Sequence, residues 1–242
     1  MPINQESGYA KKVADFKIIV SAVESYGAAY NPPMEVIKLA NLQKAAADST
    51  LALEALNSQL ALQKDTSQRR NVAFEPLKKL STRIFAFLKA LNLSNQQIEG
   101  FENQHRKLQG RRAKPVKDET ADATGNMPVH ISNAQLGYDD LVDNFDKLIK
   151  QAEIVPEYLP NEPELQIAQL QALHADLKQK NDAVIKVNTD IFNSRQLRND
   201  ILFKDKVGLC DLSLAVKNYI KALYGSSDPK YRVISKIRMK KT

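Results

Sequence analysis

The chain is written twice. Residues 9–110 and 138–240 read as two divergent copies of one segment. Tyr30-Asn31-Pro32 is echoed by Tyr158-Leu159-Pro160, Leu42-Gln43 by Leu170-Gln171, and Arg70-Asn71 by Arg198-Asn199, all at an offset of 128. Upstream the offset is 129, where Val13, Phe16 and Ile19 match Val142, Phe145 and Leu148. Downstream it becomes 132, where Phe87-Leu88-Lys89-Ala90-Leu91 matches Tyr219-Ile220-Lys221-Ala222-Leu223. It returns to 129 where Lys107-Leu108 matches Lys236-Ile237. A repeat of this length is the first thing to settle in a sequence, because it sets domain boundaries. Here it predicts a first helical repeat at 1–110, a linker at 111–131 and a second repeat at 132–242.

Each copy divides into four helical parts. The first is amphipathic, over 9–27 and 134–154, and Ser132 or Asn133 is placed to cap the second copy's start. A Tyr-x-Pro corner follows, because proline restricts its predecessor and donates no backbone hydrogen bond. Asn161 and Glu162-Pro163 then open the second copy's long helix, proline being tolerated in a first turn. The long second element covers 34–66 and 162–192. Its apolar seam alternates three and four apart through Leu39, Leu42, Ala46, Ser49, Leu53, Leu56 and Leu60. In the second copy it runs through Ile167, Leu170, His174, Leu177, Asn181, Val184, Asn188 and Ile191.

The third element covers 68–92 and 194–224, with Ala73, Leu77, Leu80, Ile84, Leu88 and Leu91 on one stripe. Pro76 is expected to kink it or mark its real start, with Gly208 in the same region of copy two. The extra residues before Tyr219 amount to about one helical turn and are expected to lengthen that helix. The fourth element is short. Ser94-x-x-Gln97 matches a capping box ahead of Ile98, Phe101 and Leu108. Asp228-Pro229 opens its counterpart, which has Tyr231, Ile234 and Ile237 on one face. The expected fold is all-α and bundle-like: two tandem units, each a long helical hairpin with two shorter helices. Eight Gly, ten Pro and no Trp in 242 residues suit long helices, since a β-rich chain needs far more turn signals.

Charge is unevenly placed. The chain carries a net +7, yet residues 106–117 and 230–241 hold six cations each and no acid, so the helical bodies are mildly acidic. These basic ends make Arg111, Arg112, Lys114 and Lys117, with Arg232, Lys236, Arg238, Lys240 and Lys241, candidate polyanion-binding residues. The competing reading is that cations favour helix C-termini and form solvated ends. Tyr231 is matched by Phe101 and reads as a packing anchor rather than a base-stacking platform. Residues 111–131 lack apolar periodicity and read as an exposed linker.

Other candidate chemistry does not accumulate. Glu102-x-x-His105 has the spacing of carboxylate-bridged di-iron bundles, but the second copy supplies no Glu or His there. His130 and His174 have no spaced carboxylate partner. Cys210 is alone and sits in an apolar run, as a small buried hydrophobe does. His174, Asn181 and Asn188 read either as positions on an only partly buried seam or as satisfied polar core positions, and Tyr30 and Tyr158 as rings packed beside a corner with a bonded tip. No phosphate-binding loop, nucleotide-binding glycine fingerprint, nucleophile elbow or HExxH pattern occurs. No cofactor, metal site or catalytic residue is therefore expected. The N-terminal dozen residues contain no apolar stretch of signal-peptide type, and no apolar run approaches about 18 residues. A cytoplasmic protein without a membrane span is the expectation.

Tyr-x-Pro-Asn before a long helix, the Arg-Asn pair, Lys-Ala-Leu, the Gly-Arg-Arg-Ala linker and Asp143-Asn144-Phe145-Asp146-Lys147-Leu148-Ile149 together resemble a group of uncharacterised bacterial proteins. The resemblance spans most of the chain and implies an intracellular, duplicated helical protein, with no activity attached. These readings lead to a non-enzymatic interaction or scaffold protein that binds a protein partner or a second copy of itself. Nucleic-acid or polyanion binding through 106–117 and 230–241 is the alternative.

Overall fold

The computed structural model describes residues 4–111 and 137–241, and among these the regular structure is helical throughout. The α-helices are α1 (Asn4–Ser25), α2 (Leu39–Phe74), α3 (Leu77–Ala90), α4 (Asn95–Gln109), α5 (Tyr138–Glu153), α6 (Ile167–Phe203), α7 (Leu209–Tyr224) and α8 (Pro229–Ser235). Short 3-10 turns stand at Gly27–Ala29, Glu35–Ile37 and Pro163–Leu165. Most of the linker expected at 111–131 lies outside the described residues, as do Ser132 and Asn133.

The hairpin expected inside each copy is corrected. No turn occurs near 67 or 193: α2 continues unbroken for 36 residues and α6 for 37, each about 54 Å long. The reason is local. Gln63–Phe74 and Phe192–Phe203 contain neither Gly nor Pro, so nothing stops the helix. Pro76 is the real break in copy one and occupies the N-cap position of α3. Gly208 does the same for α7. A Cβ on Gly208 would stand 2.7 Å from the Lys204 nitrogen and 2.8 Å from its oxygen, so the return of the chain leaves no room for a side chain.

The extra residues of copy two also fall elsewhere than expected. Three of the four stand in the join between α6 and α7, residues 204–208, against residues 75–76 between α2 and α3, and α6 takes the fourth, with 37 residues against 36. Lys206 adopts the left-handed conformation there, with φ 68°, and its N–H donates to Asp211 Oδ2 at 2.7 Å. The Asp211 side chain holds this turn, which is longer than the Glu75-Pro76 join between α2 and α3.

Two compact units result, and neither coincides with residues 1–110 or 132–242. One contains residues 1–62 and 187–242, the other residues 63–186; the divisions fall within α2 and α6. In the first unit α7 packs on α1 and α8, and α8 on α1. Its core joins Phe16, Ile19 and Leu42 from early in the chain to Leu202, Leu209, Val216, Ile220 and Ile234 from its end. Farther along the same long helices, Leu56 meets Val187 and Ile191, so the α2 and α6 segments of this unit run antiparallel. In the second unit α4 packs on α3 and α5. Phe74, Leu77, Ile84 and Leu88 there share a core with Phe145, Leu148, Leu170 and Leu177.

The seam spacing is matched by burial along each long helix. Leu42, Ser49 and Leu56 are buried at steps of seven, and so are Leu170, Leu177, Val184, Ile191 and Arg198. A seven-residue apolar step keeps one narrow face toward a partner helix. Asn188 is exposed and Val187 is buried in its place, so the seam of α6 is only partly buried there. The short-helix signals hold. Ser94 and Gln97 form the capping box of α4, Gly110 closes it at φ 71°, and Asp228 caps α8 by accepting from the Lys230 N–H at 2.7 Å.

Candidate interaction surfaces

The tail that follows α8 sorts the C-terminal candidate residues. Ile234 is buried, and Ile237 and Met239 lean on the same core. Arg232, Lys236, Arg238 and Lys240 face solvent between them. From 236 to 240 burial alternates residue by residue, so Lys236, Arg238 and Lys240 share the outward side. Lys241 leaves this set. Its ammonium reaches Asp205 at 2.6 Å and Asp211 at 2.8 Å, which raises its pKa, while the Asp211 carboxyl is held low by Lys241 and by the Lys206 N–H. Lys217 of α7 reaches the tail from the core side and donates to the Ile237 carbonyl; burial lowers its pKa.

The other basic segment is only partly described. Arg111 is exposed just past Gly110, and its N–H donates to the Arg106 carbonyl at 3.0 Å. Arg112, Lys114 and Lys117 lie outside the described residues. Arg111 belongs to the unit formed by 63–186, and the C-terminal cations to the other.

A second feature was not read from the sequence. Between α1 and α8 lies an open groove of about 690 Å³, lined by Lys17, Ile18, Ser21, Ala22, Ser25, Tyr26, Pro229, Lys230 and Val233. Its wall is predominantly carbon. Ile18 is 52% exposed and Val233 57% exposed. Tyr26 ties its end together: its hydroxyl donates to the Lys230 carbonyl at 2.9 Å, and its ring stands edge-on to Tyr224 at 5.9 Å. The Lys230 ammonium lies 4.3 Å from the centre of the Tyr224 ring. A signal for the groove did exist. Ile18 and Val233 are apolar residues off the buried stripes of their helices; it is their meeting in one contiguous apolar surface, not their exposure singly, that marks a surface with a use.

The remaining candidates have structural partners. Tyr30 and Tyr158 are buried, and their hydroxyls donate to the Ile37 and Leu165 carbonyls at 2.5 and 2.9 Å. Tyr30 stands edge-on to Tyr219 at 5.4 Å, and Tyr158 to Phe87 at 5.3 Å. Arg70 lies over the Tyr138 ring at 3.8 Å and Arg198 over the Tyr9 ring at 3.7 Å. Asn181 is a satisfied buried amide, accepting from Arg70 at 3.0 Å and donating to Asp139 at 2.6 Å. His174 is half-buried near Phe145, and His105 stacks on Phe85 with centroids 4.9 Å apart. Burial, Arg111 and Lys89 lower the His105 pKa. Cys210 is buried, with its thiol 3.8 Å from the Lys240 carbonyl and its pKa raised by burial. Among the described residues no group of three His, Cys, Asp or Glu could hold a metal ion.

The corner tyrosines give a pH signature. Burial pushes the Tyr158 phenol up to about 12 from its ordinary 10.0. The folded state therefore favours the neutral phenol. Its stabilising contribution is complete below pH 10 and is lost as pH rises through the folded value near 12. Urea unfolding across that window should show stability falling, and Tyr158→Phe should flatten the fall. The same change should cost about 1 kcal/mol at neutral pH, the usual worth of one hydrogen bond. An unchanged alkaline slope in the Phe variant would contradict the assignment.

No family model, no curated protein and no solved structure matches this chain.

Proposed function

We propose that this is a non-enzymatic interaction or scaffold protein that engages a protein partner through the unit formed by residues 1–62 and 187–242. The observation that carries the reading is the open apolar groove between α1 and α8. A wide trough with exposed Ile18 and Val233 at its lip offers area for a partner rather than enclosure for a substrate. Its flanking lysines confer preference rather than chemistry. No helix among the described residues is long and apolar enough to cross a membrane, and a cytoplasmic setting goes with the proposal.

The same reading takes the chain as a tandem duplication whose halves are exchanged. Support comes from contacts that recur at matched positions: Tyr30 with Tyr219 beside Phe87 with Tyr158, and Arg70 over Tyr138 beside Arg198 over Tyr9. In each case the two partners come from different copies. What recurs is therefore the scaffold, and the groove is the feature that differs.

Size-exclusion chromatography of the full chain returned to its own cell extract tests the function. The expected result is a larger species in which hydrogen exchange slows across 17–26 and 229–233. Elution as a monomer, with exchange there unchanged, would reject it.

Polyanion binding is the second reading, favoured by the outward row of Lys236, Arg238 and Lys240. Lys236 ends α8 in helical conformation and Arg238 and Lys240 follow on the exposed side of the tail, so the row presents three exposed cations. Binding to single-stranded DNA should then weaken steeply with salt. Replacing all three by Gln should remove two to three counterion equivalents from the salt slope, whereas Lys241→Gln should change it little because Asp205 and Asp211 neutralise that ammonium. Equal effects at 240 and 241 would contradict this.

A further inference from the structure

We infer that the α1/α8 groove takes an acidic amphipathic helix from a partner protein, seated on α1 much as α4 is seated on α5 in the other unit. The inference rests on the interaction reading above and names the partner's chemistry.

Three observations converge on it. The first is a difference in length. α4 and α8 have the same packing role, each lying on the third short helix of its own unit as well as on its neighbour in sequence: α4 against α3 and α5, α8 against α7 and α1. Yet α4 has 15 residues and α8 only seven. A seven-residue helix spans about 10 Å, while the stretch of α1 from Lys17 to Tyr26 spans about 15 Å. α1 is therefore left partly uncovered, and Ile18 is 52% exposed there.

The second observation is the shape and chemistry of the wall. Ser21, Ala22 and Ser25 form a floor of small side chains along α1, between the larger Ile18, Tyr26 and Val233. Small floor residues let a third helix approach to about 8–10 Å, the normal spacing of packed helices. At the matched positions α5 and the residue after it carry longer side chains instead, mostly charged or amide, with Ile154 80% exposed at the end. Lys147 and Lys150 pair there with Asp143 and Asp146, and Gln151 comes within 3.9 Å of where a Cβ on Gly100 would stand. α4 lies on part of that face, and the rest lacks a floor of small side chains.

The third is charge. Lys17 and Lys230 line the trough, and the one carboxylate that acts on Tyr26 at this end, Asp228, accepts from the Lys230 N–H at 2.7 Å as the cap of α8. The Lys230 side chain is held against the Tyr224 and Tyr26 rings at 4.3 and 5.6 Å, which fixes its ammonium at the groove's edge. A helix with apolar residues at i, i+3 or i+4 and i+7, and with Glu or Asp on its flanks, matches the trough in both respects. A basic helix would place like charges together, and a nucleic acid would leave the apolar wall in contact with phosphate.

The test is an unbiased selection. A displayed library of helical peptides, about three turns long and randomised at every surface position, is selected on the full-length chain. The expected winners share an apolar stripe flanked by acids. Ile18→Glu with Val233→Glu should weaken them about a hundredfold, and Lys17→Glu with Lys230→Glu at least tenfold. All four positions are at the surface, so circular dichroism should find each variant folded, and Ile18→Ala with Val233→Ala gives a milder second pair. Winners without acidic excess, or winners indifferent to these changes, would overturn the groove assignment and leave an interaction role intact. A selection that enriches nothing would overturn both, as would binding of the chain to anionic vesicles that is lost in the Ile18→Glu, Val233→Glu variant while peptides fail to bind.

Discussion

A fragment comprising residues 63–186 should fold on its own, whereas fragments 1–110 and 132–242, the two copies as the sequence writes them, should not form stable monomers. The compact units dictate this. Residues 63–186 hold one complete core, from Phe74 and Leu77 through Phe145 to Leu177. Fragment 1–110 holds half of each core. It keeps Phe16, Ile19, Ile37 and Leu42 but loses the Leu202, Leu209, Leu212, Val216, Ile220 and Ile234 that cover them. Burying one such side chain is worth about 1.5–3 kcal/mol. Losing six forfeits on the order of 10 kcal/mol, as much as the whole stability of a typical domain. The measurement is cooperative urea unfolding of each fragment, followed by circular dichroism. Fragment 63–186 should give a single sigmoidal transition. The separate copies should show none as monomers, and mixing them should restore helicity. A monomeric, cooperatively melting 1–110 fragment would mean that each copy can build its own core.

What could be read from the sequence, and what could not, follows from the range of the interactions involved. Caps and corners depend on a few adjacent residues, so Ser94 with Gln97, Asp228 with Pro229, Gly110 and the two corner tyrosines were legible. The seams were legible too, because burial at every third or fourth position is a property of one helix. Leu42, Ser49 and Leu56 are buried as their spacing predicts, and Asn181 is satisfied as expected. The point at which each long helix ends was misplaced, because a hairpin was inferred where no residue breaks the helix; Pro76 and Gly208 carry that information. The pairing of segments distant in sequence was not legible for a more general reason. Leu42, Ser49 and Leu56 and Leu170, Leu177 and Val184 follow the same seven-residue step, so the pattern by itself does not choose a partner. The choice is visible only in side-chain pairs such as Tyr9 with Phe203 and Phe74 with Tyr138, whose members lie far apart in sequence. At the candidate basic site the sequence placed the cations but could not reveal that Lys241 is spent on Asp205 and Asp211. The groove escaped because it depends on how short α8 is relative to the helix it covers.

Phe145→Ala should lower stability by about 3–5 kcal/mol, and Phe16→Ala by a similar amount, since both rings are wholly buried. These two residues match each other at an offset of 129 and yet serve different cores, Phe16 with Val216 and Ile220, Phe145 with Leu88 and Leu170. Their effects should therefore add within about 0.5 kcal/mol in the double variant, as independent sites do. At position 145 the loss should be aggravated by His174, which lies 6.4 Å from the ring centre and would face a vacated apolar space with an imidazole to hydrate. Ile18→Ala, by contrast, removes a side chain that is already half in water and should change stability by less than about 0.5 kcal/mol. Urea unfolding of the four proteins, with Phe145→Ala repeated in fragment 63–186, measures all of this. Coupling above about 1 kcal/mol between positions 16 and 145 would show that the two cores are not separate. A large loss at Ile18 would show that the groove face is part of the fold rather than a surface kept free for a partner.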